Sequence, residues 1–599
     1  MASNRPERHG SGQSATGARP RAHRLAAGAP LVRGVVLVEV LLALGLTIWA
    51  VGGAHLGVAA LAIAAVVALL MIPWREHTSP LQRIGRRCAF GWARVRRRTD
   101  EVTPAPFDIP TRAVVRSRGA DVGEPPIGAR WAGDTLITAL RVRPGTPVLT
   151  RLGVPGSDRS DAADAHVPLD VLVECIDPFD IPLASIDVVS QGTRIRGRGT
   201  AASTYLRTLG RLTATAHRNV FVILRLDPRD CPDAVARRGG GAEGALRAAT
   251  ITTKRVARRL TERGLTVAAL SAAEMTAVTD HLAAGHELDE LTEEWDGLRS
   301  SRLSTRSLAV DPDELPRVAA DIWAQPSAAT TLTVRLGRGT DGRLRVAALV
   351  RLDGGPADGG PNGSSPNSGD PTGTVPLRGR QFDAFTTSLP VASPPRLARA
   401  LPAAEGARAT RLVEHLALPA GGCGQLLGAD PSGHAVALPL VGPGIEMVVL
   451  SGTYAMIAQT VLRTVAIGAP VVLHTSAPQR WHHLVAAVAD PPMVHIALSD
   501  NAPRGMRVDL YDGVDPPAGP PPPGTTRFVV DDGTRRLGSV ATISLIQNPH
   551  VPQQISVLTP NSRTTVTMVA LPEEWAMIGE AAARNGAAAR SEPAPVERV

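Results

Sequence analysis

Between Gly34 and Trp74 apolar positions run almost unbroken, with Glu39 the only carboxylate. At about 1.5 Å of rise per helical residue the run would be about 60 Å long, twice the ~30 Å hydrocarbon core of a bilayer. The pattern predicts two membrane-spanning helices, Val32 to Val51 and His55 to Ile72. Gly52-Gly53-Ala54-His55 joins them, because glycine tolerates the dihedrals of a tight reversal. Pro73 closes the hairpin, and Trp74 suits the interface. A cleaved signal peptide would show one shorter apolar core and a small-residue cleavage site.

Beyond about residue 120 the patterning changes to short apolar runs punctuated by turns. Ala129 to Val142 reads as a β-hairpin turning at Gly133-Asp134. Val167 to Ile176 is a helix, Ala184 to Thr193 a strand, and Val220 to Asp227 a continuous β-rich run that predicts a buried strand. A helix from Ala245 to Arg263 ends at Gly264, followed by the strand LTVAALS and the helix SAAEMTAVTDHLAA. Strand, helix, strand, helix is an α/β rhythm. Thr331 to Leu352 is a second hairpin, turning at Asp341-Gly342. Ile445–Leu450, a helix over Tyr454 to Ile467, and Pro470–Thr475 form a βαβ unit. Arg527–Gly533 and Val540–Ile546 are later strands, and DPPAGPPPPG is an extended polyproline loop.

The expected organisation is a membrane-anchored α/β chain with a transmembrane hairpin and a two-lobed domain. It comprises a disordered basic tail (1–30), the hairpin (31–74) and a basic juxtamembrane segment (75–119). A first lobe (120–352), a Gly/Pro/Asn/Ser-rich loop (353–380), a second lobe (381–578) and a disordered tail (579–599) follow. At 599 residues the chain has room for a sizeable core.

Charge fixes the orientation. Arg5, Arg8, Arg19, Arg21, Arg24 and Arg33 precede the apolar run, and Arg75, Arg83, Arg86, Arg87, Arg94, Arg96, Arg97 and Arg98 follow it, whereas the turn has neither Arg nor Lys. The positive-inside rule places both termini in the cytosol and the turn outside, in the inner membrane. Arg83, Arg86, Arg87, Arg94, Arg96, Arg97 and Arg98 suit anionic lipid headgroups. Glu39 reads first as an interfacial neighbour of Arg33 and second as an intramembrane partner contact. The net charge of +9 comes almost wholly from arginine, Lys254 being the single lysine. Without aromatics interleaved among the basic residues, nucleic-acid binding is not expected. Cys88, Cys175, Cys231 and Cys423 are far apart, which predicts buried thiols rather than a zinc site or disulfide framework.

Candidate chemistry is sparse. Gly239 to Gly244 matches GxGxxG, but no strand runs directly into it, so a helix-entry loop is the expected role. Ser451-Gly452-Thr453 does follow a strand; without a Walker lysine it reads as an N-cap. Asp177 with Asp180, and Asp531 with Asp532, could hold a divalent ion or simply make turns. His482-His483 begins a helix. No nucleophile elbow is present. No catalytic residue, metal ligand or cofactor is expected. Lys254, Arg255, Arg258, Arg259 and Arg263 give one helix a basic face, either solvated or offered to an acidic partner or lipid.

Several longer stretches together resemble the EccE family of type VII (ESX) secretion: RWAGDTLITALRV, PLDVLVECIDPFDIPLASIDVVSQG, the segment from Tyr205 to Leu260, EEWDGLRSSRL and GCGQLLGADPSGHAVALPL. That resemblance implies two membrane helices, a cytosolic α/β domain, and a structural role beside EccD, with EccB and the ATPase EccC, in the actinobacterial inner-membrane complex. It carries over no catalytic residues. The alternative is a membrane-anchored enzyme with a sugar-nucleotide transferase-like α/β domain, which requires the four aspartates to converge. A weaker third reading is a lipid organiser acting through Arg75–Arg98.

Overall fold

A computed structural model describes residues 104–110, 125–154, 165–354, 370–497, 506–531 and 541–579, apart from a few single positions, with scattered helical positions between 39 and 91. Most of the expected spans, nearly all of both expected tails and most of the 353–380 loop fall outside these residues. The chain divides into two compact units, Met1–Asp100 and Glu101–Val599. In the first, the Thr47 hydroxyl donates to the Ala43 carbonyl one helical turn earlier, at 2.8 Å. No helix among the described residues is long and apolar enough to cross a membrane.

The second unit holds two sheets. Its first fourteen strands are β1 (Phe107–Ile109), β2 (Ile127–Ala132), β3 (Thr135–Pro144), β4 (Thr150–Leu152), β5 (Ser185–Thr193), β6 (His217–Leu226), β7 (Leu265–Ala269), β8 (Thr292–Glu293), β9 (Leu298–Arg299), β10 (Ser304–Val310), β11 (Ala329–Arg338), β12 (Leu344–Gly354), β13 (Thr374–Pro376) and β14 (Ala403–Glu405). All but β4 form the first sheet, in the order β1-β2-β3-β6-β5-β11-β12-β10-β9-β8, with β7 on β3, β13 on β10 and β14 on β12.

Both predicted hairpins form, β2–β3 across Gly133 and β11–β12 across Gly342, each glycine at positive φ. The α/β rhythm needs a correction here. β6 and β7 run in the same direction, but β3 lies between them and pairs antiparallel with both. Every pairing in this sheet is antiparallel, and helices cover both faces.

Alternation along the strands sorts side chains between those faces. Val188, Val222 and Leu224 join one core, while Val189, Phe221 and Ile223 join another. The first is covered by α1 (Leu169–Glu174) and by the long helix α4 (Gly241–Glu262), which follows α2 (Gly199–Leu209) and α3 (Pro232–Arg237). α4 buries Ala245, Ala248, Ala249, Thr252, Thr253, Val256 and Leu260 at the three- and four-residue spacing of one helical face. The Thr253 hydroxyl bridges helix and sheet, meeting the Thr138 hydroxyl at 2.7 Å. The second face is covered by α5 (Ala272–Leu282), through Met275, Val278 and Leu282, and by Phe385. Ser271 and Glu274 form a capping box at the start of α5.

The second sheet uses β15 (Gln425–Ala429), β16 (Ala435–Leu438), β17 (Met447–Ser451), β18 (Val471–Thr475), β19 (Val494–Ile496), β20 (Arg507–Asp512), β21 (Thr525–Val530), β22 (Ile543–Gln547), β23 (Gln554–Thr559) and β24 (Ser562–Met568). Its order is β19-β18-β20-β21-β17-β22-β23-β24-β15-β16-β4. From β19 to β22 the pairs are parallel. Continuous apolar runs such as MVVL and FVV suit strands buried on both faces. α6 (Tyr454–Ala466) links β17 to β18 as the βαβ pattern predicts, yet β21 and β20 lie between those strands.

The two sheets are stitched together. β4, from the amino-terminal half, pairs with β16. α2 packs on α6, and the Tyr205 hydroxyl accepts from the Leu426 amide at 2.7 Å. The Cys423 and Gly424 amides donate to the carbonyls of Thr215 and Ala216. A Cβ on Gly424, at φ +72°, would sit 2.2 Å from the Pro439 backbone, so only glycine fits this joint.

Candidate functional site

The predicted basic face lies on α4. Lys254, Arg258, Arg259 and Arg263 are exposed and Arg255 is half-buried. Among the described residues Arg258 meets Glu262 at 2.9 Å, Arg259 meets Glu174 at 3.5 Å, and Arg263 meets Asp170 at 3.3 Å. The face is a mixed ion-pair surface, less cationic than its sequence suggests. Of the juxtamembrane arginines, Arg87 occupies an exposed helical position; Arg83, Arg86, Arg94, Arg96, Arg97 and Arg98 lie outside the described residues. Glu39 is likewise exposed on a helical position.

The aspartates that an enzyme would need together are apart. Asp177 pairs with Arg338, and Asp180 with Arg238 at 2.7 Å and Arg237 at 3.5 Å. Asp531 follows β21 in the other sheet, its amide donating to the Leu450 carbonyl, and Asp532 is outside the described residues. No cluster of three His, Cys, Asp or Glu able to hold a metal occurs among the described residues.

The GxGxxG stretch is a helix-entry loop. Gly239 and Gly240, between α3 and α4, and Gly241, the first residue of α4, take positive φ, and a Cβ on Gly244 would lie 2.3 Å from the Val235 carbonyl oxygen. Thr453 stands at the N-cap of α6 but makes no side-chain capping bond. Its amide donates instead to Gln547 Oε1 at 2.6 Å, so the expected local cap is replaced by a side chain from β22. His483 Nε2 lies 2.9 Å from the Ala576 carbonyl oxygen. Cys175, Cys231 and Cys423 are buried as expected, whereas Cys88 is exposed.

One concavity among the described residues has no counterpart in the sequence pattern. A cleft of about 590 Å³ runs between the two sheets. Its walls are the end of β3, β4, the start of β6, Trp323, the Pro419–Cys423 segment and residues 441–445. Arg143, Arg151, Arg196 and Arg218 line it with His166, His217 and His415, and no carboxylate does.

The Arg218 guanidinium lies 3.9 Å over the Trp323 ring and donates to the Thr215 hydroxyl at 3.0 Å. Trp323 is fixed by its own bond to the Ala319 carbonyl, at 2.7 Å. Arg151 donates to Asp430 at 3.0 Å. His217 Nε2 is 2.7 Å from the Ile467 carbonyl oxygen. Burial, reinforced by the nearby Arg196 charge, pushes the His217 imidazole down to about 4, so it is neutral at pH 7 and donates to that carbonyl. These cations come from separate stretches of chain, and only the segment around AHRN, Ala216 to Asn219, stood within a singled-out stretch.

Several buried arginines elsewhere sit on carboxylates. Asp187, with no exposed side-chain surface, accepts from Arg225 at 2.9 Å and from Arg335 at 2.6 and 2.7 Å. Arg463 pairs with Glu574 at 2.8 Å, and Arg351 with Asp353 at 3.0 Å. They hold strands to one another and to the segments above them.

Residues 214–310 match a family model described as "Putative type VII ESX secretion system translocon, EccE". That stretch contains the β6 wall of the cleft, the basic helix α4, and β7 to β10. The chain is 25% identical over 394 residues to ESX-1 secretion system protein EccE1 of Mycolicibacterium smegmatis, a match covering 65% of this chain and 71% of that protein. It is 28% identical over 215 residues to EccE1 of Mycobacterium tuberculosis strain H37Rv, covering 35% and 42% respectively. The second match thus spans less than half of its relative.

Proposed function

We infer that this chain, of the EccE family, is a component of the type VII (ESX) secretion system that works as a non-enzymatic scaffold in the membrane complex. The observation that carries the family assignment is the match over residues 214–310, which build β6, α4 and the strands packed around them. A scaffold is supported by the separation of Asp177 and Asp180 from Asp531, which removes the motivation for a sugar-nucleotide transferase-like site. It is also supported by the buried ion pairs and by the pairing of β4 with β16, which ties the two sheets together.

In the finer reading the chain is anchored by helices Val32–Val51 and His55–Ile72 with both termini cytoplasmic. The arginine flanks support this topology, and Arg83 to Arg98 then lie against anionic headgroups. The partners are the other membrane subunits, EccB, EccC and EccD. The α4 face, with Lys254, Arg255, Arg258 and Arg259, and the intramembrane Glu39 are offered as contacts. Deletion of the gene should abolish export by the cognate system, and undiminished export would refute the assignment. A Gly53→Cys variant should react with a membrane-impermeant maleimide in intact cells; labelling only after lysis would reverse the topology.

A further inference from the structure

We propose that the cleft between the two sheets is a binding site for a small, multiply charged phosphate-bearing anion. The volume of about 590 Å³ lies in the range of small-molecule sites. Four arginines on the lining, with no carboxylate among the lining residues, focus a positive potential into low-dielectric walls.

Elsewhere in the fold several buried arginines sit on carboxylates. Deeply buried Arg225 and Arg335 share Asp187, and Arg463 holds Glu574. In the cleft, Arg151 reaches a carboxylate, Asp430. Arg143 and Arg196 make no ion pair with a carboxylate among the described residues. A lining that carries arginines and no carboxylate holds a positive potential that a polyanion would neutralise.

The wall is also built for close approach. A Cβ on Gly421 would fall 2.6 Å from the Pro144 ring, and one on Gly422 would fall 2.6 Å from the Ala216 carbonyl oxygen. The two glycines let the chain between the lobes pass tightly along the cleft wall. Arg218 is held rigidly over Trp323, so its charge is pre-positioned. Phosphate is the favoured anion because a planar guanidinium pairs with two of its oxygens at once.

The test uses the full chain in mild detergent and isothermal titration with sodium pyrophosphate. One saturable site is expected, weakened by about tenfold to a hundredfold in Arg196→Gln and in Arg143→Gln, as loss of a charge-assisted hydrogen bond requires. Arg563→Gln, at an exposed position of β24, should bind as the parent does. The cleft variants should melt as the parent does without ligand, because both side chains are exposed within the cleft. Titration with a short-chain, water-soluble phosphatidylinositol 4-phosphate distinguishes the sources. Tighter binding than pyrophosphate, still dependent on Arg196, assigns the anion to a lipid headgroup; weaker binding assigns it to a free phosphate compound. Absence of saturable heat with either probe, or equal binding by the parent and both cleft variants, overturns the proposal.

Discussion

Asp187→Asn tests whether the buried ion cluster holds the first sheet to the segment above it. The parent carboxylate has no exposed side-chain surface and takes three hydrogen bonds, from Arg225 Nε and from Arg335 Nε and Nη2. Arg225 also donates to the carbonyls of Val391, at 2.7 Å, and Leu389, at 3.3 Å. An asparagine keeps the shape but leaves two guanidinium ions buried without a counter-charge. Removing one partner of a buried pair costs about 3–5 kcal/mol.

Hydrogen exchange read by mass spectrometry is the direct assay. Amides of β5 and of the segment 385–391 should exchange between about a hundredfold and a few thousandfold faster in the variant. Replacing all three residues by apolar ones of similar volume should recover most of the protection, since a well-packed apolar cluster is often as stable as a buried ion cluster. The parent should also show an acid limb. Burial raises the Asp187 carboxyl, and Arg335 and Arg225 more than offset it, leaving it below the usual carboxylate range. A depressed folded value means that the stabilisation is complete above the unfolded value near pH ~4 and is lost as pH falls through the lower folded value. Exchange in Asp187→Asn within about twofold of the parent would show that the cluster contributes nothing the sheet does not already supply, and the reasoning would fail.

The remaining predictions concern other parts of the fold. His217 sits at about 4 when folded and near ~6.5 when unfolded, so the unfolded chain binds the extra proton between those values. Stability should fall by on the order of 3 kcal/mol as the pH drops from about 6.5 to about 4, and His217→Gln should flatten that slope in pH-dependent denaturant melts. Gly424→Ala combines a positive φ with a backbone clash and should lower the midpoint of denaturation severely, whereas Gly433→Ala, at φ +83° with open space, should cost only about 1–2 kcal/mol. Lys254→Ala with Arg258→Ala should leave the melting temperature unchanged, because both side chains are exposed, and should reduce co-purification of partner subunits. Unaltered co-purification would remove the α4 face from the interface.

Local features were legible where short-range chemistry decides them. The hairpins at Gly133 and Gly342 follow from alternation and turn residues, and α4 stops beside Gly264, which takes positive φ. Sheet order was not legible, because it depends on β3 entering between β6 and β7 and on β4 leaving the first half to pair with β16. Thr453 takes the N-cap position as expected, but the bond its amide makes was not legible, its partner Gln547 lying far along the chain. The basic face of α4 was visible as a helical repeat of cations, but its neutralisation by Glu174 and Asp170 comes from α1, outside the helix. Arg143, Arg151, Arg196 and Arg218 meet only once both sheets have formed, so no window of sequence displayed the cleft.

The most direct test of the central claim is to tag the carboxyl terminus, extract membranes in mild detergent and identify what migrates with the chain on a native gel. Membership of the secretion complex predicts a very large species containing an FtsK-like ATPase and a many-spanning channel subunit. A small species running alone, from cells in which the cognate system is assembled, would contradict it.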